Sequence, residues 1–173
     1  HLLAEAPAAA GRLDTWLDAR WHPTRIELNR SGGSLSLVGR PSRYEWQARD
    51  LSLQGLALSL ATDRPLRQLQ GTLMGRGVLE LQPLSVSGTV RIEKPGLLGL
   101  AGRRLQADFA YSRSDYKVRA DLEPLAAGRL RGVLEGRPGG ALKAHWLARG
   151  GDAGLLRQLA AAWGLSRDRK STR

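Results

Sequence analysis

Three histidines, sixteen carboxylates and no cysteine bound the chemistry this chain can do. His1, His22 and His145 lie far apart in sequence and share no metal-ligand spacing, and His145 stands beside Trp146 where an alternating pattern sends it to a polar face. Without cysteine there is no disulfide framework, no thiolate zinc or iron–sulfur site and no cysteine nucleophile, and the redox compartment stays open. Asp108, Asp121 and Glu123 alternate with apolar residues on the solvent side of a hairpin, so they do not converge as acid–base catalysis requires. Gly75-Arg76-Gly77 and the stretch 96–102 are glycine-rich, but neither opens a helix after a strand, and no Lys-Ser/Thr follows. The expectation is a non-enzymatic protein with no cofactor and no metal.

The elements that would position any binding residues come next. At 173 residues, 42% hydrophobic and 25% charged, the composition is that of one globular domain with at most a small appendage. A net charge of +11 invites a nucleic-acid reading. The distribution opposes it, because arginines stand singly near acidic residues: Arg91 before Glu93, Arg113 before Asp115, Arg119 before Asp121, Arg131 before Glu135. An anionic lipid headgroup ranks above nucleic acid as a partner. Only Arg167-Asp168-Arg169-Lys170, with Arg173, is densely basic. The longest apolar runs, Leu97 to Gly102 and Leu159 to Leu165, fall far short of the ~18 residues of a membrane span. The chain opens on His1 without a basic-then-apolar leader, which is expected of a fragment or mature piece whose targeting signals lie elsewhere.

Alternation is the dominant pattern. Leu69, Gly71, Leu73, Gly77, Leu79 and Leu81 take the odd positions against Gln70, Thr72, Arg76, Glu80 and Gln82. At Pro83 the phase flips, and Leu84, Val86, Val90 and Ile92 oppose Ser85, Ser87, Thr89, Arg91 and Glu93. A period of two places each set on one face of a sheet, predicting half-buried antiparallel strands. Leu105, Ala107, Phe109 and Tyr111, then Tyr116, Val118, Ala120 and Leu122, predict a hairpin about Ser112-Arg113-Ser114-Asp115. Further strands are expected near 34–39, 43–53, 55–61, 128–135 and 141–148. A Gly-x-Leu/Val motif recurs at Gly11, Gly33, Gly71, Gly77, Gly88, Gly128, Gly132 and Gly140, read as strands that begin or bend at glycine. Its spacing is too irregular for a fixed-period solenoid.

Towards the C-terminus, Asp152 can cap a helix bearing Leu155, Leu156, Leu159 and Trp163. The N-terminal stretch fits either a helix (Leu13, Trp16, Leu17) or a strand (Leu13, Thr15, Leu17, Ala19, Trp21). The predicted organisation is a β segment over 1–150, a short amphipathic helix over 151–165 and a basic tail or linker over 166–173. The predicted fold is mainly β, an antiparallel, curved, open, U-shaped sheet with that helix, and the alternative is a closed β-sandwich. Leucine dominates the apolar inventory, at 32 residues against six Val, two Ile and one Phe. Such a face either packs on itself or lines a channel for acyl chains.

The run from Leu69-Gln70-Gly71-Thr72-Leu73, through Gly77-Val78-Leu79-Glu80-Leu81-Gln82-Pro83-Leu84-Ser85-Val86-Ser87-Gly88 and Pro95-Gly96-Leu97-Leu98-Gly99-Leu100, to Gly128-Arg129-Leu130-Arg131-Gly132-Val133-Leu134-Glu135-Gly136 resembles the repeated domain of the TamB/AsmA-like family. Its form is closest to the cyanobacterial or plastid-type branch of that group of bridge-like lipid-transfer proteins. The rhythm is loose, and the first thirty residues and the tail match least.

The resemblance implies a periplasmic segment, or one in a plastid intermembrane space, of a parent protein anchored in the inner membrane. It implies that the segment holds phospholipid acyl chains in an aliphatic β-groove for lipid transport and outer-membrane biogenesis. The implied lining is Leu73, Leu79, Leu81, Leu84, Val86, Val90, Ile92, Leu105, Phe109, Val118, Leu122, Leu130 and Leu134. The implied partner is a BamA-type (TamA-like) outer-membrane barrel. One alternative is a protein-interaction scaffold for such a barrel, and a remoter one is a basic nucleic-acid-binding β domain. Open sheets leave edges, so edge-to-edge self-association is expected of this chain alone.

Overall fold

The computed structural model describes residues 11–58, 67–97, 100–125, 128–138, 140 and 142–150. The strands are β1 (Gly11–Leu17), β2 (Pro23–Arg30), β3 (Gly33–Arg40), β4 (Arg43–Ser52), β5 (Ala57–Leu58), β6 (Arg67–Gln68), β7 (Gln70–Leu81), β8 (Leu84–Leu97), β9 (Leu100–Ser112), β10 (Tyr116–Pro124), β11 (Arg129–Gly136) and β12 (Leu142–Arg149). Ten of them form one antiparallel sheet in the order β1-β2-β3-β4-β7-β8-β9-β10-β11-β12, and β5 and β6 make a separate two-stranded ribbon inserted between β4 and β7. Among the described residues the sheet is open: β1 and β12 each have a single neighbour. The substantial contacts run only between strands adjacent in the sheet, so the described residues build one layer and no sandwich.

Short turns generate this meander. Leu81 pairs with Leu84 across Gln82-Pro83, and a two-residue loop necessarily reverses the parity of the side-chain pattern, which is the phase flip visible in the sequence. Arg30 and Gly33 pair across Ser31 and Gly32, whose φ values of 49° and 82° are those of a primed hairpin turn. The hairpin around Ser112–Asp115 forms as expected, with Tyr111 opposite Tyr116. At the opposite end of the strands the ladder is irregular. β4 slips between Ala48 and Leu51, with Asp50 at φ 47°, and β7 slips between Gln70 and Thr72 around Gly71 at φ 115°. β10 also slips, between Glu123 and Pro124. Such bulges bend strands and raise their twist.

Most of the well-buried residues gather at that bulged end, although Tyr44, 5% exposed, pairs with Leu79 near the turn end. Leu51 and Leu53 lie at the bulged end, as do Leu122 and Leu130, which pack with Leu105, Trp146 and Ala148. Leu130 is fully buried, whereas Leu81 at the turn end is 41% exposed. Among the leucines of this face, burial therefore grades along the strand direction.

The sequence reading is amended in three places. The ambiguous N-terminal stretch is a strand, and it stops at Leu17 because residues 18–22 form a turn. β2 had no counterpart among the expected strands, since only Ile26 and Leu28 mark its alternation between Pro23 and Arg30. The strand expected over 55–61 is described only as Ala57–Leu58. The helix expected over 151–165 and the tail over 166–173 lie outside the described residues.

Candidate functional site

Register decides which side chains share a face, because directly paired residues in an antiparallel ladder point the same way. Leu51, Leu73, Ile92, Leu105, Leu122, Leu130 and Ala148 form one such row across seven strands. Counting in twos from it along each strand gives one apolar face, except that in β4 the slip between Ala48 and Leu51 changes the parity and brings Tyr44, Trp46 and Ala48 onto it. That face carries Leu81 and Leu84 in the outermost row and Leu79 and Val86 in the next. Phe109, Val118 and Leu134 share a third row, and Val90 stands in a fourth. All thirteen residues singled out from the sequence thus lie on the same face. Most are half-buried; Leu122 and Leu130 are buried, and Leu81 and Leu84 are exposed.

The face extends further than the sequence list. Leu13, Ile26, Leu28, Leu35, Leu37, Tyr44 and Ala48 continue it through β1 to β4. The signal for them was the same alternation, in shorter runs.

What pattern reasoning missed is the use of aromatic rings. Trp46, Gly77, Gly88 and Phe109 occupy one row on four successive strands. The Trp46 ring lies down over the two glycines. Its Nε1–H donates to the Ser87 carbonyl (3.1 Å), and its ring stacks on Phe109 with centroids 5.9 Å apart. A Cβ on Gly77 would collide first with the Ser87 carbonyl oxygen of β8 and would also come within 2.6 Å of Trp46 Nε1, so the close approach of β8 and the ring both require a glycine here. Trp146 likewise lies over Gly132. Tyr44 reaches from β4 over β3 to donate its hydroxyl to the Pro23 carbonyl of β2 (2.8 Å). Within the Gly-x-Leu motif, Gly77, Gly88 and Gly132 thus lie beneath rings, whereas Gly71, at φ 115°, sits where β7 slips and Gly33 opens β3, as the sequence pattern implied. The outcome is an apolar face on which two indoles lie over neighbours that have no side chain.

The opposite face is mostly polar, interrupted by the exposed Trp16, Val38 and Leu147, and its ion pairs run both along and across strands. Asp121 is gripped by Arg129 (2.7 Å) and Arg131 (3.0 Å) of the adjacent strand, not by Arg119. Desolvation, the strongest single influence on this carboxyl, pushes its pKa up. The hydrogen bonds and charges of the two guanidiniums together outweigh it and hold the carboxyl below its ordinary value. Glu93 is likewise lowered, first by its hydrogen bond from Arg91 and further by Arg104. Arg43 pairs with Glu80 (2.6 Å), which also accepts from Ser85. A depression of about 580 Å³ on this face is bordered by Gln106, Asp108, Arg119, Arg131 and His145. Among the described residues no group of His, Asp and Glu is placed to hold a metal ion, and no helix is long and apolar enough to cross a membrane.

No protein-family model, curated protein or solved structure matches this chain.

Proposed function

We propose that this chain is a non-enzymatic segment of a TamB/AsmA-like bridging protein, holding phospholipid acyl chains against its apolar face for transport between membranes. The observation that supports the reading is the apolar face itself, continuous over ten strands of an open single layer. Acyl chains held there gain roughly 0.8 kcal/mol per buried methylene through contacts with no directional preference. Such contacts let a chain slide. The edges of β1 and β12, without a further neighbour among the described residues, favour a second reading, a scaffold that pairs with a BamA-type barrel, with unfolded outer-membrane clients or with another copy of itself by strand addition.

Native mass spectrometry of protein purified without detergent tests the first reading. Copurifying phospholipid is expected, and it should be lost on changing Leu81, Val86 and Phe109 to Asp. Leu81→Asp alone is the variant that keeps the fold, because Leu81 is already exposed. Folded protein that stays lipid-free after incubation with liposomes refutes transport and leaves the scaffold.

A further inference from the structure

The turn between β1 and β2 displays an indole in a strained and fixed position. Trp21 is 81% exposed and sits at φ 64°, a left-handed conformation that costs a bulky L-residue and persists only where its surroundings impose it. Asp18 imposes it. Its carboxylate Oδ1 accepts from the backbone N–H of Arg20 (2.8 Å) and of His22 (2.9 Å). Its carbonyl accepts from the Trp21 N–H (3.0 Å), and its own N–H donates to the His22 carbonyl (2.9 Å). These bonds hold the Asp18 carboxyl below its ordinary pKa, chiefly through the His22 N–H, so the clamp stays ionised at neutral pH. A strained, clamped and bare tryptophan serves no packing purpose within the described residues.

The surroundings of Trp21 give its partner a chemistry. Trp16 and Leu17, each 46% exposed, end β1 just below it, and Arg25 stacks over the Trp16 ring at 4.9 Å. The next turn along this rim, between β3 and β4, is flanked by Arg40 and Arg43. The Leu81 N–H donates to the Ser42 carbonyl (3.0 Å), so that turn is tied to the exposed pair Leu81 and Leu84. Arg20 and Arg40 form no ion pair among the described residues. Of the carboxylates nearby, Asp18 is held in its turn, Glu27 pairs with Arg25 and Glu80 with Arg43, while Glu45, beside Val38 in the ladder, is exposed. The rim thus offers indoles and leucines beside uncommitted guanidiniums, and Arg20, Arg25, Arg40 and Arg43 outnumber its one exposed, unengaged carboxylate. Indoles favour the boundary between headgroups and hydrocarbon, and guanidiniums favour anionic headgroups.

We propose that this rim, led by Trp21, docks on the interfacial region of an anionic phospholipid bilayer. The proposal does not need the apolar face to carry lipid; it requires only that the protein meet a membrane surface side-on, by the turn end of β1 to β4.

Flotation with vesicles of phosphatidylcholine, with and without about one third phosphatidylglycerol, tests it. The full chain should float with the anionic vesicles and lose that binding as salt rises. Trp21→Gly removes the indole and suits the left-handed backbone, so its thermal midpoint should be equal or higher while vesicle partitioning falls at least about tenfold. Arg20→Glu should weaken binding to anionic vesicles and leave weak binding to neutral ones unchanged. Unaltered flotation of Trp21→Gly, or equal flotation with both vesicle types, overturns the proposal. So does a wild-type dimer that Trp21→Gly converts to a monomer without vesicle binding, since Trp21 would then be a protein contact. Copurified lipid should be the same in Trp21→Gly as in the wild type, so failure here and failure of the transport reading are separately visible.

Discussion

Trp146 and Gly132 offer the sharpest test of the apolar face. A Cβ at Gly132 would meet three atoms of the Trp146 indole before any other group, and the farthest of them, Cη2, would stand only 2.7 Å away. Gly132→Ala must therefore lift the ring off β11 and away from Leu122 and Leu130, against which it packs. Overpacking of this kind costs about 1–3 kcal/mol, from which about 0.5 kcal/mol is recovered because alanine loses less backbone entropy than glycine in a strand. The expected net loss is about 0.5–2.5 kcal/mol. Trp146→Ala removes a half-buried indole and should cost about 2–4 kcal/mol by itself. In that background the ring is gone, and Gly132→Ala should become neutral or stabilising by about 0.5 kcal/mol. The two changes are then coupled by about 2 kcal/mol, well beyond the ~0.5 kcal/mol within which independent sites add. Urea unfolding followed by far-UV circular dichroism, a signal that does not depend on the deleted tryptophan, measures all four corners of the cycle at constant m. If Gly132→Ala costs the same in both backgrounds, the ring does not lie on that glycine and the account of the face is wrong.

The burial gradient predicts unequal costs for the same truncation: Leu130→Ala, at a fully buried position, should lose about 2–4 kcal/mol, and Leu81→Ala, 41% exposed, under about 1 kcal/mol, read as shifts in urea midpoint. Asp121 and Glu93 are lowered in the folded state, so their contribution is fully present above the ordinary values of 3.8 and 4.5 and is lost as pH falls through the folded values. Urea midpoints measured from neutral pH down to about pH 3 should fall in that window, and Asp121→Asn should lower the neutral midpoint and flatten the decline; a parallel curve would show that the Arg129 and Arg131 contacts contribute nothing in solution.

Much of this architecture follows from residue order alone. Alternation such as Leu79, Leu81 against Glu80, Gln82 dictates an antiparallel sheet with one apolar face, because only a period of two separates those sets. The parity flip at Pro83 places a two-residue turn, and the turn in turn sets the register of β7 on β8. Placing all thirteen aliphatic and aromatic positions on one face required nothing more than that parity. β2 escaped notice because two apolar residues are too few to distinguish a strand from a loop.

Other features arise only when strands are laid side by side. Trp46, Gly77, Gly88 and Phe109 are scattered over sixty-odd positions, and no local pattern says that they share a row; register brings them together, and the missing Cβ atoms then let the ring lie down. Asp121 takes its arginines from the neighbouring strand rather than from Arg119 two residues away, since a residue at i−2 shares its face but a cross-strand partner stands nearer. The left-handed backbone of Trp21 is invisible in composition, being imposed by a hydrogen-bonded turn on a residue that would not choose it. The open edge at each end of the described sheet is likewise decided by tertiary structure. Local sequence makes strands of one amphipathic kind, and only the twist and curvature accumulated over ten of them determine whether the last returns to pair with the first.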